Sequence, residues 1–166
     1  MLQKKICMLG AFGVGKTSLV RRLVDGVFSD TYLTTIGVKV DRYQTRVNGR
    51  VLNMIVWDIQ GEESDRPIVS AYLRGGAGFI LVADVTQPDT ILTAKHLYAS
   101  SDASYRAKPW IWAMNKSDLL DSVPSVESLR ERYELPDNAM VVLTSAKEDL
   151  KVAELFHSLA GALVPA

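Results

Sequence analysis

The segment Gly10-Ala11-Phe12-Gly13-Val14-Gly15-Lys16-Thr17 spells G-x-x-x-x-G-K-T, a spacing whose chemistry is the gripping of phosphate. Glycines let backbone N–H groups turn inward and approach anionic oxygens closely. A helix opening directly after them adds unpaired donors and a favourable dipole. Lys16 has the reach for the β- and γ-phosphates, and the Thr17 hydroxyl has the chemistry to hold Mg²⁺. More polar clusters follow along the chain: Thr34-Thr35-Ile36-Gly37, Trp57-Asp58-Ile59-Gln60-Gly61-Glu62, Asn115-Lys116-Ser117-Asp118 and Ser145-Ala146-Lys147.

These clusters need a scaffold, and the hydrophobic pattern supplies one. Residues 2–9 read as a buried parallel strand, and 16–25 as the helix opened by the phosphate loop, with Arg21 and Arg22 on its outer face. Residues 27–37 read as a loop. Alternation over 38–47, then Asn48-Gly49, then 50–58 predicts an antiparallel hairpin. A short helix is expected within 65–74, followed by a strand at 77–84 and a helix over 89–105. A strand at 109–114, a helix from Pro124 to Tyr133, a strand at 139–143 and a helix over 148–163 complete the chain. This order predicts an α/β fold: a six-stranded, mostly parallel sheet with one antiparallel strand and helices on both faces. The clusters beginning at Gly10, Asp58, Asn115 and Ser145 all follow strand ends, so they are expected to converge on the carboxyl edge of that sheet.

With 166 residues, one domain spanning 1–166 is expected. The 19 basic and 19 acidic side chains cancel, which argues against a nucleic-acid partner. The single cysteine, Cys7, lies in an apolar strand and reads as a buried side chain in a cytoplasmic protein. His96 and His157 lack clustered partners and suggest no metal site. No apolar run is long enough for a transmembrane helix. The sequence ends Leu163-Val164-Pro165-Ala166, so no C-terminal lipid anchor is expected.

Taken together, the clusters resemble the Ras superfamily of small GTPases, and the Thr-Ile-Gly-Val and Trp-Asp spellings are most similar to its Rab and Rho-type branches. The resemblance implies the P-loop small-GTPase fold and a switch that binds GTP or GDP with Mg²⁺ and hydrolyses GTP. It places Gly10, Gly13, Val14, Gly15, Lys16, Thr17 and Ser18 on the phosphates. Thr35 and Gly61 would sense the γ-phosphate, with Thr17, Thr35 and Asp58 around the metal. Asn115, Lys116, Asp118, Ser145, Ala146 and Lys147 would form the guanine site. Phe28 would stack on the base edge. The Asp118 carboxylate suits the N1–H and N2–H₂ donors of guanine, which adenine lacks. This argues against a nucleotide kinase or ATPase. Protein effectors and regulators would dock through residues 30–40 and 59–74.

Some positions depart from the family pattern. Glu62 stands where a water-orienting glutamine is usual, so Lys16, Thr35 and Gly61 keep family-like catalytic positions while Glu62 does not. Phe12 brings a phenyl ring into the phosphate loop. Ile59-Gln60 replaces the more usual Thr-Ala. The first two predict slow hydrolysis, or in the limit a nucleotide-binding module that hydrolyses little.

Overall fold

The computed structural model describes residues 1–31, 34–63 and 70–166. Among them the strands are β1 (Leu2–Gly10), β2 (Val38–Val47), β3 (Arg50–Ile59), β4 (Gly78–Asp84), β5 (Trp110–Asn115) and β6 (Met140–Leu143). They form one sheet in the order β2-β3-β1-β4-β5-β6. β2 runs antiparallel to β3, and the remaining neighbours are parallel. The hairpin register is set by its tight turn: Asn48 and Gly49 both take positive φ, 49° and 74°, the turn chemistry that matches strand twist. Val47 therefore pairs with Arg50 and Val38 with Ile59.

Alternate residues of the inner strands feed two cores. Ile6, Met8, Met54, Val56, Ile80 and Ile111 pack under α1 (Lys16–Asp25) and α5 (Val152–Leu163), which contribute Leu19, Val20, Leu155, Phe156 and Leu159. Cys7, Leu9, Phe79, Leu81, Trp110 and Trp112 pack on the opposite face. Ile91 and Ala94 of α2 (Pro88–Ser100) and Leu129 of α4 (Val126–Tyr133) complete that side. Every residue of β4 and β5 is buried, as a two-sided parallel sheet requires. Trp110, Trp112 and Cys7 belong to the core, as the apolar strand around Cys7 predicted for that side chain.

Several expected boundaries shift for local reasons. The helix anticipated over 89–105 is two helices, α2 and the short α3 (Ala103–Arg106). Ser101 Oγ bonds the Tyr98 carbonyl, and the Asp102 carboxylate caps a new turn by accepting from Ser104 N–H, the competition with helix that these side chains favour. The helix expected from Pro124 begins at Val126, after the Ser125 cap. The last helix starts at Val152 and not at residue 148, because Asp149 and Lys151 are left-handed and Leu150 exchanges two backbone bonds with Ser145. Of the short helix predicted within 65–74, residues 70–73 form a 3₁₀ turn, while 64–69 lie outside the described residues. No helix among the described residues is long and apolar enough to cross a membrane.

Candidate functional site

A cleft of about 780 Å³ opens at the carboxyl edge of the sheet, within the size range of ligand sites. Gly13, Gly15, Lys16, Thr17, Ser18, Phe28, Thr35, Gly61, Asn115, Lys116, Asp118, Ala146 and Lys147 line it. Gly10, Val14, Asp58, Glu62 and Ser145 are not on its wall. Val14, Asp58 and Ser145 are buried behind it.

The phosphate loop is held from behind by side chains taking its carbonyls. Lys16 Nζ donates to the Gly10 and Ala11 oxygens at 3.2 and 3.0 Å. Lys116 Nζ donates to Gly13 O at 2.7 Å, and Asn115 Nδ2 to Val14 O at 3.0 Å. A trans peptide opposes each carbonyl to the next N–H, so the Val14 and Gly15 N–H groups point away from these tethers. Gly15 sits at φ 101° directly before α1, whose first turn has no side-chain cap; its orphan donors suit an anion. A Cβ on Gly15 would collide with the Asn115 amide, so only glycine permits both the turn and the tether. Burial lowers the Lys16 pKa to about 8, with the Asp58 charge acting in the other direction. An anion beside this ammonium would favour its charged form.

Beside the loop, oxygens gather. Thr17 Oγ1 lies 2.7 Å from Thr35 Oγ1 and donates to Asp58 Oδ2 at 2.5 Å. Asp58 is fully buried, and its Oδ1 has no hydrogen-bond partner among the described residues. Desolvation by that burial raises its pKa, opposed by the Thr17 bond and by Lys16 and Lys39, while Asp41 adds to the rise. A buried carboxylate oxygen without a donor, next to two hydroxyls, is a hard-oxygen set that fits Mg²⁺. No cluster of three or more His, Cys, Asp and Glu side chains able to hold a metal occurs among the described residues.

At the other end of the cleft, Asp118 Oδ1 accepts from Ser145 Oγ at 2.7 Å, which in turn accepts from Glu148 N–H at 3.0 Å. Thr144 Oγ1 donates to Asn115 Oδ1 at 3.1 Å, so the Asn115 amide ties the ends of β5 and β6 to the phosphate loop. Phe28 is half-buried and packs on the α1/α5 core.

Sequence reasoning assigned no site role to two residues that brace this region. Arg22, read as outward-facing, instead donates from Nε to Ala146 O at 2.8 Å, from NH2 to Lys147 O at 2.9 Å and from NH1 to Gly26 O at 2.9 Å. Asp84, at the end of β4, is 2% exposed and pairs with Lys116 Nζ at 2.9 Å. Its Oδ1 accepts from the Thr86 N–H and hydroxyl. A lone carboxylate ending a fully apolar strand was the signal for Asp84; nothing local marks Arg22.

Glu62 is bound to the loop through its backbone. Its N–H donates to Gly10 O at 2.9 Å, and its carbonyl accepts from Phe12 N–H at 3.2 Å. Gly61 approaches so closely that a Cβ there would sit 2.6 Å from Phe12 N. Glu62 Oε2 is buried with no hydrogen-bond partner among the described residues. Phe12 lines the cleft and is 40% exposed.

The doubly faced, mostly parallel sheet with a phosphate loop after β1 and polar motifs after β3, β5 and β6 defines a P-loop nucleotide-binding α/β protein. The chain belongs to the Ras family, whose model matches residues 5–164, and is a GTP-binding small GTPase of the Rab-like branch. It is similar to Ras-related protein SEC4 of Saccharomyces cerevisiae, 33% identical over 160 residues, covering 94% of this chain and 73% of that protein. Ras-related protein Rab-1D of Dictyostelium discoideum is 34% identical over 161 residues, covering 94% and 77%. GTP-binding protein ypt1 of Schizosaccharomyces pombe is 30% identical over 156 residues, covering 93% and 77%.

Proposed function

We propose that the chain is a guanine-nucleotide switch that binds GTP and GDP with Mg²⁺ and hydrolyses GTP slowly. The observation that carries this reading is the convergence of Thr17, Thr35 and Asp58 oxygens beside Lys16 in a cleft whose far end holds Asp118 and Ala146. Lys16 and the N–H groups of residues 13–18 bind the phosphates. Asp118 accepts from guanine N1–H and N2–H₂, and the Ala146 N–H meets O6. Adenine would leave that carboxylate unpaired at a cost of a few kcal/mol. Ser145 and Asn115 orient these groups, Lys116 and Phe28 flank the base, and Lys147 lines the wall.

Thr17 and Thr35 are the side chains that would hold Mg²⁺, with Asp58 supporting them, and the ion would supply positive charge to offset that of the phosphates. In hydrolysis, water attacks the γ-phosphorus in line, the bond to the β-phosphate oxygen breaks, and GDP and phosphate leave. Thr35 and Gly61 sense the γ-phosphate, and its loss releases residues 30–37 and 59–70, an order–disorder change that a protein effector reads. Part of those segments lies outside the described residues.

The slow rate rests on Glu62. Its backbone is bonded to the loop, one carboxylate oxygen is buried, and the side chain is not on the cleft wall. A carboxylate accepts from water but cannot donate to the transferring group. Phe12 at the rim also stands in the way of an arginine supplied by a partner. The same observations favour a second reading, a binding module with almost no turnover.

Two experiments test this. In displacement of fluorescent GDP, GTP is expected to compete far better than ATP; equal competition by ATP overturns the guanine assignment. In single-turnover hydrolysis, Glu62→Gln is expected to be faster than wild type. A wild type at least as fast as the variant removes Glu62 as a handicap, and no turnover by either favours the binding module.

A further inference from the structure

Gln60 stands immediately before Gly61, where the family pattern has a small residue. Its N–H donates to Gly37 O at 2.8 Å, and its side-chain Oε1 accepts from Gly37 N–H at 2.9 Å. The register of the hairpin explains this exchange. Val38 faces Ile59 as the last pair of the β2–β3 ladder, so Gly37 faces Gln60 at the next step. A regular antiparallel pair there would use the Gln60 main-chain carbonyl to accept from Gly37. The side-chain carbonyl takes that role instead. The ladder gains one more closed pair, while the Gln60 backbone is left to turn and deliver Gly61 onto Phe12. An alanine side chain has no acceptor to make that bond.

The clasp joins two loops at sensitive points. Gly37 is two residues beyond Thr35, whose hydroxyl lies 2.7 Å from Thr17 Oγ1. Gly61 is the next residue after Gln60. We propose that Gln60 is a positioning residue that fastens the Thr35 loop to the Gly61 loop, holding both in the γ-phosphate-accepting arrangement and raising the preference for GTP over GDP. This rests on the reading above that Thr35 and Gly61 meet the γ-phosphate. GDP touches neither residue, so a clasp that forms where both loops are ordered adds to the binding of the triphosphate alone.

The test compares wild type with Gln60→Met, which keeps the side-chain volume without the acceptor, and Gln60→Ala. Affinities for GDP and for a β,γ-imido GTP analogue are measured with Mg²⁺, and hydrogen exchange of the Gly37 amide is followed in the analogue-bound protein. Both variants are expected to lose roughly three- to ten-fold in affinity for the analogue, the worth of one hydrogen bond, while GDP binding changes by less than about two-fold. Gly37 exchange is expected to be protected in wild type and faster in the variants. A residue that served stability alone would weaken both nucleotides equally; that result, or unchanged affinities, overturns the clasp. If the variants fail to fold, wild type decides: a Gly37 amide exchanging at the rate of an open loop overturns it. A wild type that binds neither nucleotide overturns the functional reading first, and the clasp with it.

Discussion

Lys116 Nζ lies 2.9 Å from Asp84 Oδ2 and 2.7 Å from Gly13 O, so one ammonium joins the end of β4 to the phosphate loop. Asp84 is almost wholly buried, and the Lys116 side chain is about one-third exposed. Removing the carboxylate strands a partly buried cation above the site assigned to the base. Because Lys116 keeps some solvent, the cost is set below that of a fully buried pair, at about 1–2 kcal/mol. Asp84→Asn retains an acceptor for Thr86 and removes only the charge. It is expected to weaken GDP binding by about ten-fold, read by titration with a fluorescent GDP.

Arg22 holds the loop of Ala146 and Lys147 by two carbonyls and the end of α1 by a third. Its guanidinium is the one described side chain that carries this brace, and charge-assisted bonds of this kind are worth more than neutral ones. Arg22→Ala is expected to lose about 2 kcal/mol of stability and to release GDP faster, because the Ala146 N–H would no longer be fixed. Denaturant melts and a GDP chase measure the two effects. Arg22→Lys restores charge without the fork and is expected to recover only part of either.

Asp58 stands beside the metal position proposed above, with Oδ2 on Thr17 and Oδ1 unpartnered among the described residues. Asp58→Asn keeps the shape and drops the charge. Supporting carboxylates of this type contribute about 10–100-fold to metal affinity. The variant is expected to need correspondingly more Mg²⁺ to slow GDP release, seen as a rightward shift in a Mg²⁺ titration. Chelating Mg²⁺ in wild type is expected to speed release, and to do so less in the variant.

Burial pushes the Cys7 thiol from 9.0 up to about 12, with Lys5 acting weakly the other way. In the unfolded chain the thiol ionises near 9, while the folded protein keeps its proton until about 12. Cys7 therefore contributes its full share of stability below pH 9, and that share is lost as pH rises from 9 to 12. At pH 8 the folded protein carries about a thousand-fold less thiolate than the unfolded chain. Alkylation by iodoacetamide should proceed at the rate of global or local opening. Urea midpoints should fall between pH 8.5 and 10.5 more in wild type than in Cys7→Ala.

The scaffold was legible because its signals are local. Alternation on either side of Asn48-Gly49 located β2 and β3, and the helix after Lys16 matched its apolar spacing from Lys16 to Asp25. Most of the residues singled out for binding face one cleft, since four of the motifs follow strands that end at the same edge and the segment 34–37 leads into the antiparallel β2, which starts there. The braces were not legible. Arg22 meets Ala146 across 124 positions of sequence, and no periodicity links them. Asp84 meets Lys116, and Gln60 meets Gly37, through pairings fixed by strand register. The break between α2 and α3 was hidden for a different reason: a helical stripe continues through Tyr98 and Tyr105, and only the serine and aspartate side chains between them interrupt it.

The Asn115 amide carries a consequence for how the protein is made. Its two ends hold Val14, 101 residues earlier, and Thr144, 29 residues later. On a ribosome the phosphate loop emerges early, yet one of the side chains that tether it is itself oriented by the residue following the final strand. A nascent chain stopped before residue 144 would expose the loop without its lock. Nucleotide capture is therefore expected only once the last strand has taken its place.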